Sequence, residues 1–518
     1  MISDKLQQAR GYEQNAMSRI HASERPAFHI TGSAGWINDP NGFSCYNGEY
    51  HLFFQYYPYK NVWGPMHWGH AKTKDFIRWE QLPAAMAPDM EYDKDGCFSG
   101  SAVQTPDGKQ LLMYTGVRQV IGESGEKEDR QTQCVALGDG LNYTKVSENP
   151  VITGEKVPEG SSVRDFRDPK IWYDAEEKVY YSVVGNRPAD GSGAILLYRS
   201  EDGIHWDYVT TVDACRNEYG RMWECPDFFP LDGKWVLAVS PQEMKQMGHE
   251  FHVGHGTMFL AGDYDKKTHT FDRKWVQAID YGLDYYAPQS LETPDGRRVS
   301  IAWMQNWATC HSQPEKVRWF GQMTLPRELQ IRNDRVYQNP VRELENYRTN
   351  PVIHKNIPVS RETTLEGVKG RILDMTVTVR PGDDKGYRKF KMYFAKGGDC
   401  HSSVSFRPAT GKVRMDRTFS GFAYDIVNNR SFLVDADKEV KIRVIMDRFS
   451  VELFFNDGAQ TATMTLYTPQ DCDGISFEAE GNVLINYGKL IQFMYYFNNL
   501  IPKCYFINKV FYCILGNF

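Results

Sequence analysis

Three carboxylic acids stand at the beginnings of strand-like segments that lie far apart in the chain. Asp39 is in WINDPNG, Asp168 in FRDPK and Glu224 in WECPD. If these segments meet in the fold, the acids share one pocket, and their mutual repulsion keeps a proton on one of them near neutral pH. Cleavage of a glycosidic bond needs such a pair, one carboxyl to attack or stabilise and one to protonate the leaving oxygen. Taken singly, each acid is more often a turn residue, an ion-pair partner or a solvated strand end.

Aromatic residues accompany these acids. Trp36, Trp63, Trp68, Phe98 and Trp223 lie in or near the same segments, and aromatics make up 14% of the chain. The apolar C–H faces of sugars pack on such rings. Core packing between neighbouring sheets explains the same residues equally well, so both interpretations stay open.

Two other chemistries are disfavoured by the residues themselves. His249, His252 and His255 in HEFHVGH lack the His-x-x-x-His spacing of a helical metal site and have no carboxylate framework around them, so we expect no metal. Cys225 directly follows Glu224, but no paired histidine motif accompanies it, as a thiol nucleophile would require.

The segments that must position the acids repeat five times over the first two-thirds of the chain. Each repeat has a strand-like run, a turn and a second apolar run, and most continue into two more strands. Four repeats carry a dipeptide typical of tight hairpins, in which φ is positive: Asn47-Gly48, Asp107-Gly108, Asp232-Gly233 and Asp295-Gly296. The pattern predicts an all-β fold with a five-bladed β-propeller, whose innermost strands would bring Asp39, Ser99, Asp168 and Glu224 into one central funnel. A single large sandwich is the competing prediction.

Other patterns flank the repeats. Residues 1–28 predict an N-terminal helical extension and residues 29–338 the propeller. Residues 339–355 predict a linker helix, with Asn339 as N-cap and Pro340 in its first turn. Alternating strands over 356–490 predict a β-sandwich. Residues 491–518 form an atypical apolar tail, for which we expect no function, with membrane adhesion as the alternative.

Composition narrows the functional classes. The 518 residues carry 60 Lys+Arg and 66 Asp+Glu, a net charge of −6, so nucleic-acid binding has no broad electrostatic basis. The first 28 residues lack the apolar core of a secretory signal, and the ten cysteines form no C-x-x-C pair. We therefore expect free thiols and a cytoplasmic protein. The longest uncharged run of the tail, residues 490–502, is too short to span a bilayer, so we expect no membrane partner.

Four motifs in order resemble those of glycoside hydrolase family 32, which includes invertases, sucrose-6-phosphate hydrolases, levanases and inulinases. They are WINDPNG from Trp36, FSGS from Phe98, FRDP from Phe166 and WECPD from Trp223. The resemblance runs from about Arg25 to Leu490. The leading helix and the missing signal look most like the intracellular sucrose-6-phosphate hydrolase group.

This resemblance implies a retaining double displacement on a terminal β-D-fructofuranoside such as sucrose or sucrose 6-phosphate, without cofactor or metal. Asp39 would be the nucleophile that attacks C2 of fructose, Glu224 the general acid and then the base, and Asp168 the stabiliser of the oxocarbenium-like transition state. The remaining implied substrate-binding residues are Asn38, Gln55, Trp63, Phe98, Ser99, Arg167, Tyr286 and Trp303.

Three alternatives stay open at this point. An exo-fructanase would act on levan or inulin, and a transferase would pass fructose to a sugar instead of water. A non-catalytic sugar-binding propeller would need hydrogen bonds but no nucleophile–acid pair. The preference for a glucosyl 6-phosphate and the oligomeric state do not follow from the residues.

Overall fold

The computed structural model describes residues 2–122, 125–311, 317–422, 426–436 and 439–493. In that part of the chain the fold is all-β, as predicted, with one α-helix at Asp4–Met17. Short 3-10 helices are found at Ala22–Glu24, Gly154–Lys156, Arg342–Tyr347 and Asn456–Gly458. None of the described helices is long and apolar enough to cross a membrane. The predicted tail lies outside the described residues from position 494 onward.

The predicted N-terminal helix is present and packs on an edge strand. Its face carries the buried residues Leu6, Ala9 and Glu13. Arg10 Nε donates to the carbonyl of Ala84 at 2.8 Å, and the Ala84 amide donates to Glu13 Oε1 at 2.8 Å. The helix thus satisfies backbone groups that an edge strand leaves unpaired.

Between Gly35 and Pro340 the described strands form five sheets in chain order. The first sheet has an extra short strand, Trp319–Phe320, which runs parallel to its first strand. The first sheet contains Gly35–Tyr46, Glu49–Tyr57, His67–Thr73 and Trp79–Met86, and the second contains Gly96–Gln104, Gln110–Ile121, Lys127–Gly138 and Tyr143–Lys145. The third contains Phe166–Asp174, Val179–Asn186, Ala194–Ser200 and Trp206–Ala214. The fourth contains Trp223–Leu231, Lys234–Pro241, Met258–Asp265 and Thr270–Ala278, and the fifth Tyr286–Glu292, Arg298–Trp303, Arg327–Arg332 and Arg335–Pro340.

The first strands of these five sheets contact one another in cyclic order, and the fifth also contacts the first. This closed ring brings together the segments in which the predicted acids lie. Positive φ is present at both residues of the turns Asn47-Gly48 and Asp232-Gly233, as predicted. At the other two dipeptides only the glycine has positive φ, because a threonine hydroxyl closes a longer loop there, as at Thr105.

Residues 348–493 form two further sheets that share one apolar core. The larger contains Arg348–His354, Ile357–Val359, Leu373–Pro381, Val440–Asp447, Ser450–Phe455, Gln460–Thr465 and Val483–Phe493. The smaller contains Tyr387–Gly397, Cys400–Arg407, Lys412–Asp416, Asn429–Leu433 and Gly474–Gly481. The linker-helix prediction is wrong in its bounds and cap. Asn339 and Pro340 end a strand that pairs with Arg327–Arg332, and only the 3-10 turn Arg342–Tyr347 separates it from the next strand.

A buried charged group joins these sheets to the first five; we call it the junction cluster (His29, Asp280, Arg327, Asp447 and Glu452). The His29 ring lies 2.9 Å from Asp447 Oδ2 through Nδ1 and 2.9 Å from Glu452 Oε1 through Nε2. Arg327 donates to Glu452 Oε2 at 2.6 Å and to Asp280 Oδ2 at 3.0 Å. All five side chains are at most 1% exposed.

Candidate active site

Every first strand of the five sheets breaks its regular pairing where the predicted site residues lie. The pairing shifts across Asn38–Asp39, Ser99, Asp168–Pro169, Cys225–Pro226 and Ala287–Pro288. Such β-bulges turn a side chain away from its usual face, and they tolerate proline because the ladder is already interrupted. The residues before three of these prolines, Asp168, Cys225 and Ala287, have positive φ. Asp39 and Asp168 therefore lie within bulges, and Glu224 lies directly before one.

One carboxylate oxygen of Asp39 accepts a hydrogen bond from the protein, and the other has no hydrogen-bond partner among the described residues. The Ser99 hydroxyl donates to Asp39 Oδ2 at 2.8 Å, and the Cys225 thiol lies 3.6 Å from the same oxygen. Asp39 Oδ1 is buried, and no group of the described residues hydrogen-bonds to it. Burial raises the pKa of Asp39, and the charge of Glu224 adds to that rise. A buried oxygen left in this state is costly, so Oδ1 is the atom that a ligand would engage.

Glu224 is held from two sides. Arg167 donates to Glu224 Oε1 through Nε at 3.0 Å and Nη2 at 2.9 Å. The Tyr286 hydroxyl donates to Oε2 at 2.6 Å. The Glu224 side chain is 15% exposed, so it can reach both a bound molecule and solvent.

Asp168 completes the acidic cluster (Asp39, Asp168 and Glu224). Its amide donates to Thr115 Oγ1 at 3.0 Å, and its Oδ2 accepts the amide of Cys225 at 3.0 Å. Burial and the charge of Glu224 raise the pKa of Asp168 to about 7, although Arg167 opposes the rise. Three acids from three sheets thus lie close together, with the Arg167 guanidinium beside only two of them, Glu224 and Asp168, and this arrangement keeps a proton available.

The Cys225 thiol is a group whose role sequence reasoning missed. Its sulfur lies 3.6 Å from both Asp39 Oδ2 and Asp168 Oδ2. Burial and the charges of Asp168 and Asp39 raise the thiol's pKa well above its usual value. It is therefore a neutral donor between two carboxylates and not a nucleophile. Its position directly after Glu224 and before a proline was the available signal.

Of the polar residues predicted to bind substrate, Asn38 and Gln55 lie on the first sheet, Ser99 on the second and Arg167 on the third. Asn38 Oδ1 accepts the Trp36 indole at 2.8 Å, and Gln55 Nε2 donates to the carbonyl of Cys97 at 3.0 Å. These contacts fix the two amide groups, because each has one end committed to the protein.

The predicted aromatic residues fall into two kinds. The Trp63 ring is 45% exposed and stands edge-on to Phe98, with centroids 5.8 Å apart. Trp303 is fully buried beside Trp36, with centroids 5.9 Å apart, and its Nε1 has no partner among the described residues. Trp63 can therefore contact a molecule arriving from solvent, whereas Trp303 lies beneath the site.

The three histidines considered for a metal lie on an excursion between two strands of the fourth sheet. Met244 and Gly254 pair across its base. In the described part of the chain, no group of three or more His, Cys, Asp or Glu side chains is arranged to hold a metal ion. His255 instead contacts the Tyr286 ring, with centroids 5.9 Å apart, a contact that sequence reasoning did not predict.

Comparison with known proteins adds to this geometry. Residues 29–340 match the glycosyl hydrolases family 32 N-terminal domain, and residues 343–490 match the glycosyl hydrolases family 32 C terminal domain. The chain is 35% identical over 463 residues to a sucrose-6-phosphate hydrolase of Zymomonas mobilis, covering 87% of this chain and 88% of that protein. It is 35% identical over 502 residues to a raffinose invertase of Escherichia coli, covering 94% and 99%. Among solved structures, a beta-fructofuranosidase of Bombyx mori aligns with a TM-score of 0.80 at 31% identity, covering 94% and 98%.

Proposed function

The chain belongs to glycosyl hydrolase family 32, and from this premise we propose that it hydrolyses terminal β-D-fructofuranosides with retention of configuration. The chain is a glycosidase, and the names of its relatives support sucrose and related fructosides as its substrates. The finer choice between sucrose and sucrose 6-phosphate is part of the proposal.

The observation that carries the proposal is the unequal treatment of two carboxyls. Asp39 Oδ1 has no hydrogen-bond partner among the described residues, whereas both oxygens of Glu224 accept hydrogen bonds, from Arg167 and Tyr286. Asp39 Oδ1 attacks C2 of the fructosyl group while Glu224 passes a proton to the departing glucosyl oxygen. Glu224 then removes a proton from water, which attacks C2 and releases Asp39.

Asp168 acts on the fructosyl group during both steps. Its Oδ2 is fixed by the amide of Cys225, so its other oxygen is available for fructose hydroxyls. A carboxyl held this way stabilises positive charge that develops at the ring as the glycosidic bond breaks.

The remaining residues bind the sugar in this proposal. Asn38 and Gln55 offer amide groups, Trp63 and Phe98 offer ring faces, and Ser99 keeps Asp39 in place. Arg167 and Tyr286 orient Glu224. Trp303 is buried beside Trp36, and its indole N–H, which has no hydrogen-bond partner among the described residues, can donate to a hydroxyl or a water.

The fold and location complete the proposal. The five sheets are the five blades of a propeller over residues 29–338, supported by the cyclic contacts of their first strands. A β-sandwich over 356–490 follows as a separate domain. Free thiols in the described ranges support a cytoplasmic protein; they include Cys45, Cys97, Cys134, Cys215, Cys225, Cys400 and Cys472.

Comparing kcat/KM on sucrose, sucrose 6-phosphate and inulin tests the function and the substrate preference together. We expect glucose or glucose 6-phosphate to be released with β-fructose as the initial product, and a chelator to leave the rate unchanged. An initial product of inverted configuration, detected by NMR, would contradict the mechanism. A higher kcat/KM on inulin would favour the exo-fructanase, and binding without turnover would favour a sugar-binding protein.

A further inference from the structure

Two charged residues that the mechanism does not use lie directly behind the acidic cluster. Lys170 follows Asp168 by two positions, and Asp227 follows Glu224 by three. Lys170 Nζ lies 3.3 Å from Asp227 Oδ2, with side chains 11% and 2% exposed.

A third strand joins this pair through its backbone. Lys170 Nζ donates to the carbonyl of Ser290 at 2.6 Å, and the Ser290 amide donates to Asp227 Oδ2 at 2.5 Å. We call these three residues the clasp (Lys170, Asp227 and Ser290). It connects the first strands of the third, fourth and fifth sheets.

The clasp sits where the bulges end. Regular pairing resumes at Lys170 opposite Val183 and at Asp227 opposite Ala238. In the fifth sheet it resumes at Gln289, one residue before Ser290. The clasp therefore connects the far ends of three bulges, one of which contains Asp168 while the other two directly follow Glu224 and Tyr286.

Neutral groups join the other neighbouring first strands just past their bulges. The Gly100 amide donates to Asn41 Oδ1 at 3.2 Å, and Ser101 Oγ donates to the carbonyl of Pro169 at 2.7 Å. Gln289 Nε2 donates to the carbonyl of Gly100 at 2.7 Å. In the described part of the chain these links between first strands are uncharged, whereas a buried ion pair joins the strands that carry Asp168 and Glu224.

Stability is a weak explanation for such a pair. The desolvation of two buried charges commonly cancels their attraction, and apolar replacements are often neutral. Asp227 Oδ1 also lacks a hydrogen-bond partner among the described residues. What the clasp supplies is a fixed spacing between three strands.

We propose that the clasp is a positioning device for the reaction, holding Asp168, Glu224 and Tyr286 at their working separation. This inference rests on the proposed function of the acidic cluster. Asn38, Gln55 and Phe98 belong to the first two sheets, which the clasp does not join. Weakening the clasp should therefore lower kcat and leave KM for sucrose nearly unchanged.

Steady-state kinetics of clasp variants on sucrose test this proposal. Lys170→Met should lower kcat by about 10- to 100-fold, since a displacement near 1 Å can cost about 10²-fold, and should change KM by less than about threefold. Asp227→Asn, which keeps shape and one acceptor, should lower kcat by a smaller factor in the same way. Arg327→Met is the matched control, because it also removes the cation of a buried ion pair, but at the junction cluster; its melting temperature should fall with kcat unchanged.

The double variant Lys170→Met/Asp227→Asn separates positioning from stability. Without an unpaired buried charge its melting temperature should recover, while kcat stays low because the strands remain unlinked. Recovery of kcat together with melting temperature, or single variants with wild-type kcat, would overturn the proposal. If Lys170→Met does not fold, Asp227→Asn decides by the same kcat and KM criterion. A wild-type enzyme that hydrolyses no fructoside would instead refute the proposed function.

Discussion

The acidic cluster and the junction cluster each contain three carboxyl groups, but they differ in the cations beside them. In the acidic cluster the one guanidinium, that of Arg167, lies beside Glu224 and Asp168, and burial together with Glu224 raises the pKa of Asp168 to about 7. In the junction cluster a histidine and an arginine face three acids. Burial there would raise the pKa of Asp447 and Glu452, but both stay below their usual values. His29 and backbone amides lower the pKa of Asp447, and Arg327 and His29 lower that of Glu452.

The two clusters also differ in the hydrogen bonds that their carboxylate oxygens accept. Asp39 Oδ1 has no partner among the described residues, whereas Asp447 accepts the amides of Ala27 and Phe28 as well as the His29 ring. Carboxylates whose charge is largely offset by cations and whose oxygens accept hydrogen bonds can hold two parts of a molecule together. Carboxylates with less compensating charge and an oxygen without a hydrogen-bond partner are suited to react with a ligand.

Removing a carboxyl group of the acidic cluster should lower activity more than any other change, whereas removing one from the junction cluster should not lower it. Asp39→Ala removes the attacking atom, so kcat on sucrose should fall by a factor on the order of 10⁴–10⁶. Asp447→Asn, an equally buried aspartate of the junction cluster, should lower melting temperature while the folded enzyme keeps its kcat. Both are measured by initial rates per mole of folded protein; appreciable turnover by Asp39→Ala would remove it as nucleophile.

A change in the junction cluster should lower the free energy of unfolding and leave activity nearly unchanged. Arg327→Met leaves Asp280 buried without its Arg327 partner and leaves Glu452 with His29 alone, which costs about 3–5 kcal/mol of unfolding free energy when one partner of a buried pair is removed. Urea unfolding measures this loss, and kcat at 25 °C should remain within about twofold. A loss below about 1 kcal/mol would show that the junction cluster does not hold the two parts together.

His29 makes the junction cluster sensitive to alkaline pH. Burial alone would lower its pKa, but Asp447 and Glu452 raise it from 6.5 to about 9. The folded state therefore binds the proton more tightly, so the stabilisation is complete below about pH 6.5 and is lost as pH rises through 9, up to about 3 kcal/mol. Unfolding free energies from pH 6 to 10 should fall for the wild type and flatten for His29→Gln. His205→Gln, at an exposed pair, is the control and should follow the wild type.

The smallest expected effect lies within the acidic cluster. The Ser99 hydroxyl favours ionised Asp39, so Ser99→Ala should raise the pKa of Asp39 further and lower kcat/KM by about tenfold on the acid side. The acid limb of the pH profile should move to higher pH. Ser182→Ala deletes a buried hydroxyl that has no hydrogen-bond partner among the described residues and should leave the limb in place. An unmoved limb in Ser99→Ala would mean that another group controls it.

Much of the arrangement follows from local sequence. Turn dipeptides such as Asn47-Gly48 mark the hairpins because few residues adopt positive φ. The motifs around Asp39, Asp168 and Glu224 each begin a first strand, so the repeat alone predicted that the acids would meet. These inferences need only neighbouring residues.

What could not be predicted depends on residues distant in sequence. His29 and Asp447 are 418 positions apart, and neither lies in a recognisable motif. The bulge at Cys225 requires knowing how its strand pairs, so the thiol's place between two carboxylates was invisible. Asn339 and Pro340 carry the residue types of a helix start, but pairing with the preceding strand outweighs that local preference.

In the proposed mechanism Glu224 protonates the leaving group while Asp39 attacks C2 of the fructosyl group. Protonation matters most for a poor leaving group such as a glucosyl alkoxide and little for a nitrophenolate, whose charge is delocalised. The two carboxyls can therefore be separated by the choice of substrate. Unchanged circular dichroism must accompany each variant so that misfolding does not imitate the result.

Pre-steady-state kinetics of Glu224→Ala on sucrose and on a nitrophenyl β-D-fructofuranoside make the most direct test. We expect Glu224→Ala to lower the rate on sucrose by a factor on the order of 10²–10⁴. On the nitrophenyl substrate the first step should be far less affected, and a burst of nitrophenolate should appear because the second step still lacks its base. Equal losses of rate on both substrates without a burst would show that Glu224 is not the general acid, and Asp168 would become the first candidate for that role.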